Sequence, residues 1–169
     1  MTWVVGVGLL LALLLAAAPA PGQSIACPPG STRGGTESEA GKFQWCEQAS
    51  PAGMIRQGPM VGLHPNGRRS FELTFVDGTP RGPVRAWYDS GQPSMSGDTR
   101  PDNGTLTLWD ERGRKRAQIE VRERQVVTRA WDEDGREERY EEAKLARAMP
   151  ANRSMTFIMQ LWAVGIGMQ

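Results

Sequence analysis

Apolar and polar residues alternate through the middle of the chain, and the alternation returns in blocks. Within each block every second position is apolar or small, which is the side-chain period of a β-strand. After the turns these positions are Phe71, Leu73 and Phe75, then Met95, Gly97 and Thr99, then Ala117, Ile119 and Val121. Before the turns they are Met60 and Gly62, Val84 and Ala86, Leu106 and Leu108, and Thr128 and Ala130. Each block therefore predicts a β-hairpin with one apolar face.

A short figure of tryptophan and glycine marks the blocks at a fixed spacing. Its copies are WYDSG at Trp87–Gly91, WDERG at Trp109–Gly113 and WDEDG at Trp131–Gly135, with a Trp-to-Trp step of 22 residues both times. An earlier copy spans residues 58–67 and has Leu63 where the Trp would stand. Self-similarity at a fixed period of this length indicates a stacked array of repeats.

The turns between the strands end on glycine, in the sequences PNG, DSG, ERG and EDG. Glycine adopts the positive φ that tight hairpin turns need. These structural turn glycines are Gly67, Gly91, Gly113 and Gly135. A lone hairpin cannot bury its apolar face, so the hairpins must stack on one another. The predicted fold class is mainly β: an antiparallel meander of stacked β-hairpin repeats over residues 58–138, forming a single-layer elongated sheet with a C-terminal helical segment.

The two best-kept units, GPVRAWYDSGQPSMSGD and GTLTLWDERGRKRAQIE, resemble the MORN-variant repeat. This is the second form of the membrane occupation and recognition nexus repeat, found in exported bacterial proteins often labelled antitoxin-like. The resemblance implies an elongated β-sheet used for binding, with no family catalytic residues. The copies depart from the repeat pattern at Leu63 and at Val126, which stands where a leading glycine is expected.

The chain opens with an uncharged apolar run, Trp3 to Ala18, followed by small residues and Pro. This pattern predicts a secretory signal peptide over residues 1–22, although the usual Lys or Arg at its start is missing. The run is too short for a stable membrane-spanning helix, and an uncleaved N-terminal anchor is the alternative. Export would place the protein in the periplasm or outside the cell.

Two cysteines, Cys27 and Cys46, bracket an N-terminal module over residues 23–57. In an oxidising compartment an even pair predicts one disulfide. The alternative is a lipoprotein acylated at Cys27, for which Ser24 is a poor match to the usual Leu and which would leave Cys46 unpaired. Two cysteines without histidine partners do not make a zinc site.

Charge argues against a nucleic-acid partner, because Lys plus Arg number 20 and Asp plus Glu number 19. A local basic run remains at Arg112, Arg114, Lys115 and Arg116. We interpret it as a solvated strand face with cross-strand ion pairs. The alternative is a patch that binds phosphate or anionic lipid.

The pattern changes near Arg139, where EERYEEAKLARAM is dense in helix formers. We assign residues 139–169 to a helical cap and an apolar tail, since the last strand of an array needs cover. The uncharged tail, residues 154–169, either docks on the protein or makes a peripheral membrane or partner contact.

Catalytic patterns are weak. The single histidine, His64, lies in a turn without a placed partner. The stretch GTESEAGKF misses the phosphate-loop spacing, and Asp132 with Asp134 does not make a calcium loop. We therefore expect no enzyme, no metal and no cofactor.

The repeated tryptophans are the candidate binding site. On stacked hairpins Trp87, Trp109 and Trp131 would form a ladder on the face opposite the core, together with Arg85 and Arg129. The alternative is that these rings pack against the cap or the cysteine module.

The function predicted is an exported, non-enzymatic protein-binding or scaffold module at the bacterial cell envelope. Its partner would be an unidentified protein, or an envelope lipid or glycan. An antitoxin or immunity-type inhibitor of a toxin or enzyme is the alternative function.

Overall fold

The computed structural model describes residues 24–38, 41–100, 103–122, 125–141 and Lys144. These residues form eleven strands: β1 (Thr32–Ser38), β2 (Gly41–Ser50), β3 (Gly53–Leu63), β4 (Arg69–Val76), β5 (Thr79–Pro80), β6 (Pro83–Trp87), β7 (Pro93–Asp98), β8 (Thr105–Trp109), β9 (Lys115–Arg122), β10 (Gln125–Trp131) and β11 (Glu137–Glu138). All of them belong to one antiparallel sheet. Successive strands are neighbours throughout, except that β4 pairs with both the short β5 and β6. The predicted meander of β-hairpins is confirmed.

Two predicted segments lie outside this description. The signal peptide assigned to residues 1–22 is not among the described residues, and of the predicted cap and tail only residues 139–141 and 144 are. Within the described ranges no helix is long and apolar enough to cross a membrane.

The core lies on one face of the sheet, at the positions that alternate in the sequence. The strand register joins Phe71 to Ala86, Ala86 to Met95, Met95 to Leu108, and Leu108 to Ala117, so these five side chains form one row across β4 to β9. Each is at most 1% exposed. Because successive side chains of a strand point to opposite faces, the residues between these core positions lie on the other face.

Glycines in the core-facing positions make room for aromatic rings. Gly62 pairs with Phe71, and a methyl group on Gly62 would lie 2.4 Å from the Phe71 ring. Gly34 is likewise covered by Trp45, whose indole nitrogen would lie 2.3 Å from such a group. A glycine paired with a ring is a recurring way to fill a gap in a sheet.

The four turns of the array close with the same backbone hydrogen bonds. In each, the amide after the Trp position donates to the carbonyl four residues later: His64 to Arg68 at 2.8 Å, Tyr88 to Gln92 at 2.9 Å, Asp110 to Arg114 at 3.0 Å, and Asp132 to Arg136 at 3.0 Å. The four turn glycines have φ between 75° and 91°. The first copy, with Leu63 and HPNG, therefore turns as the other three do.

The N-terminal module joins the same sheet through β1 and β2. The predicted disulfide is present, with a Cys27–Cys46 sulfur distance of 2.01 Å, and closing a loop of this size contributes about 3 kcal/mol to stability. It holds the segment before β1 against β2 and β3, where Ile25 is buried with Cys46 and Val61. Pro28 lies over Gly58, the leading glycine of the first copy. A methyl group on Gly58 would be only 2.6 Å from Pro28 Cδ, so this position has no room for a larger residue.

Candidate binding face

The three repeated tryptophans lie on the face opposite the core row. Trp87 and Trp109 directly follow the buried Ala86 and Leu108 on β6 and β8, so strand alternation directs their rings to the other face. Trp131 stands in the same position on β10, and all three rings are half-buried. The structure therefore places the predicted ladder residues on one face.

A β-bulge after each of the first three turns sets the local geometry. The register shifts by one residue between Gly62 and Leu63, Ala86 and Trp87, and Leu108 and Trp109. The extra residues on the partner strands are Ser70, Ser94 and Arg116, all buried although polar. Bulges re-aim neighbouring side chains and increase the local twist. Sequence reasoning missed them, because alternation continues on either side of the added residue.

Trp87 and Trp109 line one open depression of about 340 Å³. Arg85, Pro93 and Ser96 also line it. Trp87 lies on β6 and Trp109 on β8, two strands apart, which corresponds to about 10 Å across a sheet. The depression thus combines two large apolar rings with a guanidinium and a hydroxyl group.

Trp131 has a different environment from the other two rings. The Lys115 ammonium nitrogen lies 3.8 Å from the centroid of the Trp131 ring, a cation–π contact. Arg129, the second predicted basic residue of this face, lies 4.0 Å from the Glu137 carboxylate. The predicted ladder therefore divides into two rings that line the depression and a third ring that Lys115 covers.

Arg85 is held by Glu72 on the neighbouring strand β4. Its Nη1 lies 3.0 Å from Glu72 Oε1, and Arg69 Nη1 lies 2.5 Å from the other oxygen of the same carboxylate. The Arg85 side chain is 60% exposed, so this ion pair orients it more than it stabilises the fold.

The carbonyl of each Trp accepts a hydrogen bond from the preceding copy. His64 Nε2 lies 2.8 Å from the Trp87 carbonyl oxygen. Tyr88 Oη donates to the Trp109 carbonyl at 2.8 Å, and Arg116 Nε donates to the Trp131 carbonyl at 3.0 Å. These contacts tie each hairpin to the next beside the candidate site. The turn role predicted for His64 agrees with this contact.

Asp110 and Arg116 form a buried ion pair at the third of these junctions. They are 4% and 5% exposed, and Arg116 Nη1 lies 3.6 Å from Asp110 Oδ2. Burial alone would raise the pKa of Asp110, but hydrogen bonds from the amides of Arg114 and Arg112 and from the Arg114 guanidinium outweigh it and hold the pKa below its ordinary value of 3.8. The interpretation of the basic run as a solvated face does not hold for Arg116.

Tyr88 keeps its proton at physiological pH. Burial, with the carboxylates of Glu111 and Asp110 nearby, raises the pKa of Tyr88 to about 12. The phenol is therefore a lasting donor to the Trp109 carbonyl.

A fourth tryptophan, Trp45, carries a similar cation contact that sequence reasoning did not find. The Arg56 guanidinium lies 4.2 Å from the Trp45 ring centroid, and Glu47 accepts hydrogen bonds from both side chains. Trp45 stands outside the 22-residue period, so the repeat pattern could not point to it.

Among the described residues no group of three His, Cys, Asp or Glu side chains could hold a metal ion. No known protein family matches the chain, and a search of curated proteins finds no match either. The resemblance to MORN-variant repeats therefore stays a prediction from the quoted residues.

Proposed function

We propose that the chain is an exported, non-enzymatic repeat protein that binds a protein partner through its tryptophan face at the bacterial cell envelope. The observation that carries the proposal is the open depression lined by Trp87 and Trp109 on the face opposite the core. Trp and Arg are the residues most enriched where protein interfaces concentrate their binding energy.

The position of the rings supports a binding role over a packing role. The main core cluster consists of residues from the other face, with Phe43 and Trp45 at its margin, and includes none of the three repeated tryptophans. Large aromatic rings outside a core contribute apolar surface, and apolar surface patches mark sites of interaction.

Export is the second part of the proposal. The Cys27–Cys46 disulfide fits an oxidising compartment, and the predicted signal peptide over residues 1–22 would supply the route. We include in the proposal a helical cap over residues 139–169 that covers the β11 end of the sheet.

The test is quantitative capture from an envelope extract by the full mature chain. We expect Trp87→Ala with Trp109→Ala to reduce capture of the partner at least ~10-fold, since truncating interface anchors costs about 2 kcal/mol or more each. Trp131→Ala is the matched control, because Lys115 already covers that ring. Circular dichroism and thermal unfolding check that each variant is folded.

Two outcomes would contradict this proposal. A folded double variant that captures the partner as wild type does would show that this face is not the site. A double variant that does not fold would show that the rings are core. A single toxin or enzyme captured in a one-to-one ratio would favour the inhibitor alternative over a scaffold.

A further inference from the structure

The four copies differ at two adjacent positions beside the Trp ladder. The strand register pairs Leu63 with Arg69, Trp87 with Pro93, Trp109 with Lys115, and Trp131 with Glu137. The residues just before these partners are Arg68, Gln92, Arg114 and Arg136. The first and third copies thus have two adjacent cationic residues at these positions. The second copy places none at the same two positions.

The third copy demonstrates what a lysine does at this position. Lys115 pairs with Trp109 across the hairpin and extends to the ring of the next copy, where its ammonium lies 3.8 Å from the Trp131 centroid. An ammonium group over an indole face is attracted by the negative face of the ring. The site between Trp109 and Trp131 is therefore filled by the chain's own cation.

One copy earlier the corresponding place is the open depression. Pro93 has the position of Lys115, Trp109 has the position of Trp131, and both line the 340 Å³ opening. A proline ring is uncharged and short. From this position the chain therefore brings no cation of its own over Trp109.

Arg85 lines the same depression but is directed away from Trp109. Its guanidinium pairs with Glu72 on β4, which lies on the opposite side of β6 from β8 and Trp109. The equivalent residue one copy later is Thr107, so Arg85 is not part of the arrangement that Lys115 fills. Glu72, which Arg69 also contacts, orients the Arg85 guanidinium toward β4, and this orientation leaves the Trp109 ring to another cation.

We infer that a lysine side chain of the protein partner enters this depression and places its ammonium over Trp109, as Lys115 does over Trp131. The inference rests on the proposed function, because it names the group that the same face recognises. The repeat supplies the template: a lysine stem of the required length already crosses from one copy to the next in the third hairpin.

The test follows the indole N–H signals of the full mature chain by NMR during titration with Nα-acetyl-lysine amide. A single cation–π site binds weakly, so we expect saturation with a Kd on the order of 10 mM. The Trp109 signal should shift, and the Trp131 signal should not. Norleucine amide, acetylated in the same way, has the same stem without the charge and should give no saturable shift.

Three variants sharpen the test, and two of them interchange the copies. Pro93→Lys reproduces the third copy and should abolish the Trp109 response, whereas Pro93→Gln adds a shorter side chain without charge and should retain it. Lys115→Ala should open the second depression, so that the Trp131 signal also responds to the lysine probe. Unfolding midpoints of all three variants should stay close to that of wild type.

The inference is overturned if the norleucine compound shifts the Trp109 signal as much as the lysine compound, or if Pro93→Lys leaves the response intact. Phosphatidylcholine vesicles that shift the Trp109 signal while the lysine probe does not would also overturn it, in favour of a lipid headgroup. If the lysine probe does not bind but capture of the partner still depends on Trp87 and Trp109, this inference is wrong and the proposed function stands. If capture of the partner does not depend on those two rings, the proposed function is wrong as well.

Discussion

The second and third repeats use different side chains to hydrogen-bond the next hairpin. In the second, the neutral Tyr88 hydroxyl donates to the Trp109 carbonyl at 2.8 Å. In the third, the equivalent residue is Asp110, an ionised acceptor that cannot donate, and Arg116 reaches the Trp131 carbonyl instead at 3.0 Å. The backbone of the array requires a donor at each junction, and either a neutral side chain or an ion pair meets that requirement.

The two junctions respond differently to the loss of one group. A neutral hydrogen bond, once removed, leaves one unsatisfied carbonyl. A buried ion pair, once half removed, leaves a charge without its counter-ion in a region that excludes water, and that is far less favourable. Among these equivalent positions, loss of one ion-pair partner should therefore destabilise the fold more than loss of the neutral donor.

The largest effect is expected for Asp110→Ala. This change leaves the Arg116 guanidinium buried without its carboxylate and removes the acceptor for the amides of Arg112 and Arg114, so we expect a loss of about 3 kcal/mol in the free energy of unfolding. Chemical denaturation followed by tryptophan fluorescence measures it. Arg136→Ala is the control, and loss of its exposed ion pair with Asp134 should change stability by at most about 1 kcal/mol.

A double variant that converts the third junction into the second tests whether a neutral donor can replace the Asp110–Arg116 ion pair. Asp110→Tyr with Arg116→Ser reproduces Tyr88 and Ser94 at the equivalent positions. This double variant should be more stable than Asp110→Ala, because a neutral donor replaces the ion pair. Equal destabilisation of the two would show that the junctions are not interchangeable.

A smaller effect is expected for Tyr88→Phe. The substitution keeps the buried ring and removes only the hydroxyl that donates to the Trp109 carbonyl, so stability should fall by about 1 kcal/mol. The same denaturation experiment measures it. An unchanged midpoint would show that the carbonyl finds another donor, and the junction would then not depend on Tyr88.

The smallest effect is a difference in pH dependence between wild type and Asp110→Asn. The folded pKa of Asp110 lies below its ordinary value, so its charged form stabilises the fold above pH ~4, and this contribution is lost as the pH falls through the folded pKa. The stability gap between the two proteins should therefore narrow on acidification. Asp132, whose pKa is lowered by its hydrogen bond with the Arg136 amide, is present in both proteins and cancels. A gap that stays constant from neutral to acid pH would contradict the role given to Asp110.

Much of the fold could be predicted because it depends on local periodicity. The two-residue alternation placed Leu106 and Leu108 on the core face, and the turn glycines have the positive φ that their positions required. The disulfide was predicted from the even cysteine count together with the predicted export. None of these needs knowledge of which residues meet across the sheet.

The candidate site was predictable only in part. The 22-residue period placed Trp87, Trp109 and Trp131 on one face, but it treated them as equal. It could not show that Lys115 covers Trp131 while Pro93 leaves an opening beside Trp109. That distinction depends on a contact between adjacent copies, and the repeat pattern averages such differences away.

The sequence by itself determined the hairpin period, the turn positions and the face that carries the core, because each follows from steric rules within a few residues of chain. Tertiary structure alone decided that β1 and β2 extend the same sheet, that a bulge buries Ser94 and Arg116, and that one gap in the ladder is filled and another open. These features depend on which strands become neighbours and how they twist. Contacts between residues far apart in the chain appear only when the sheet has assembled.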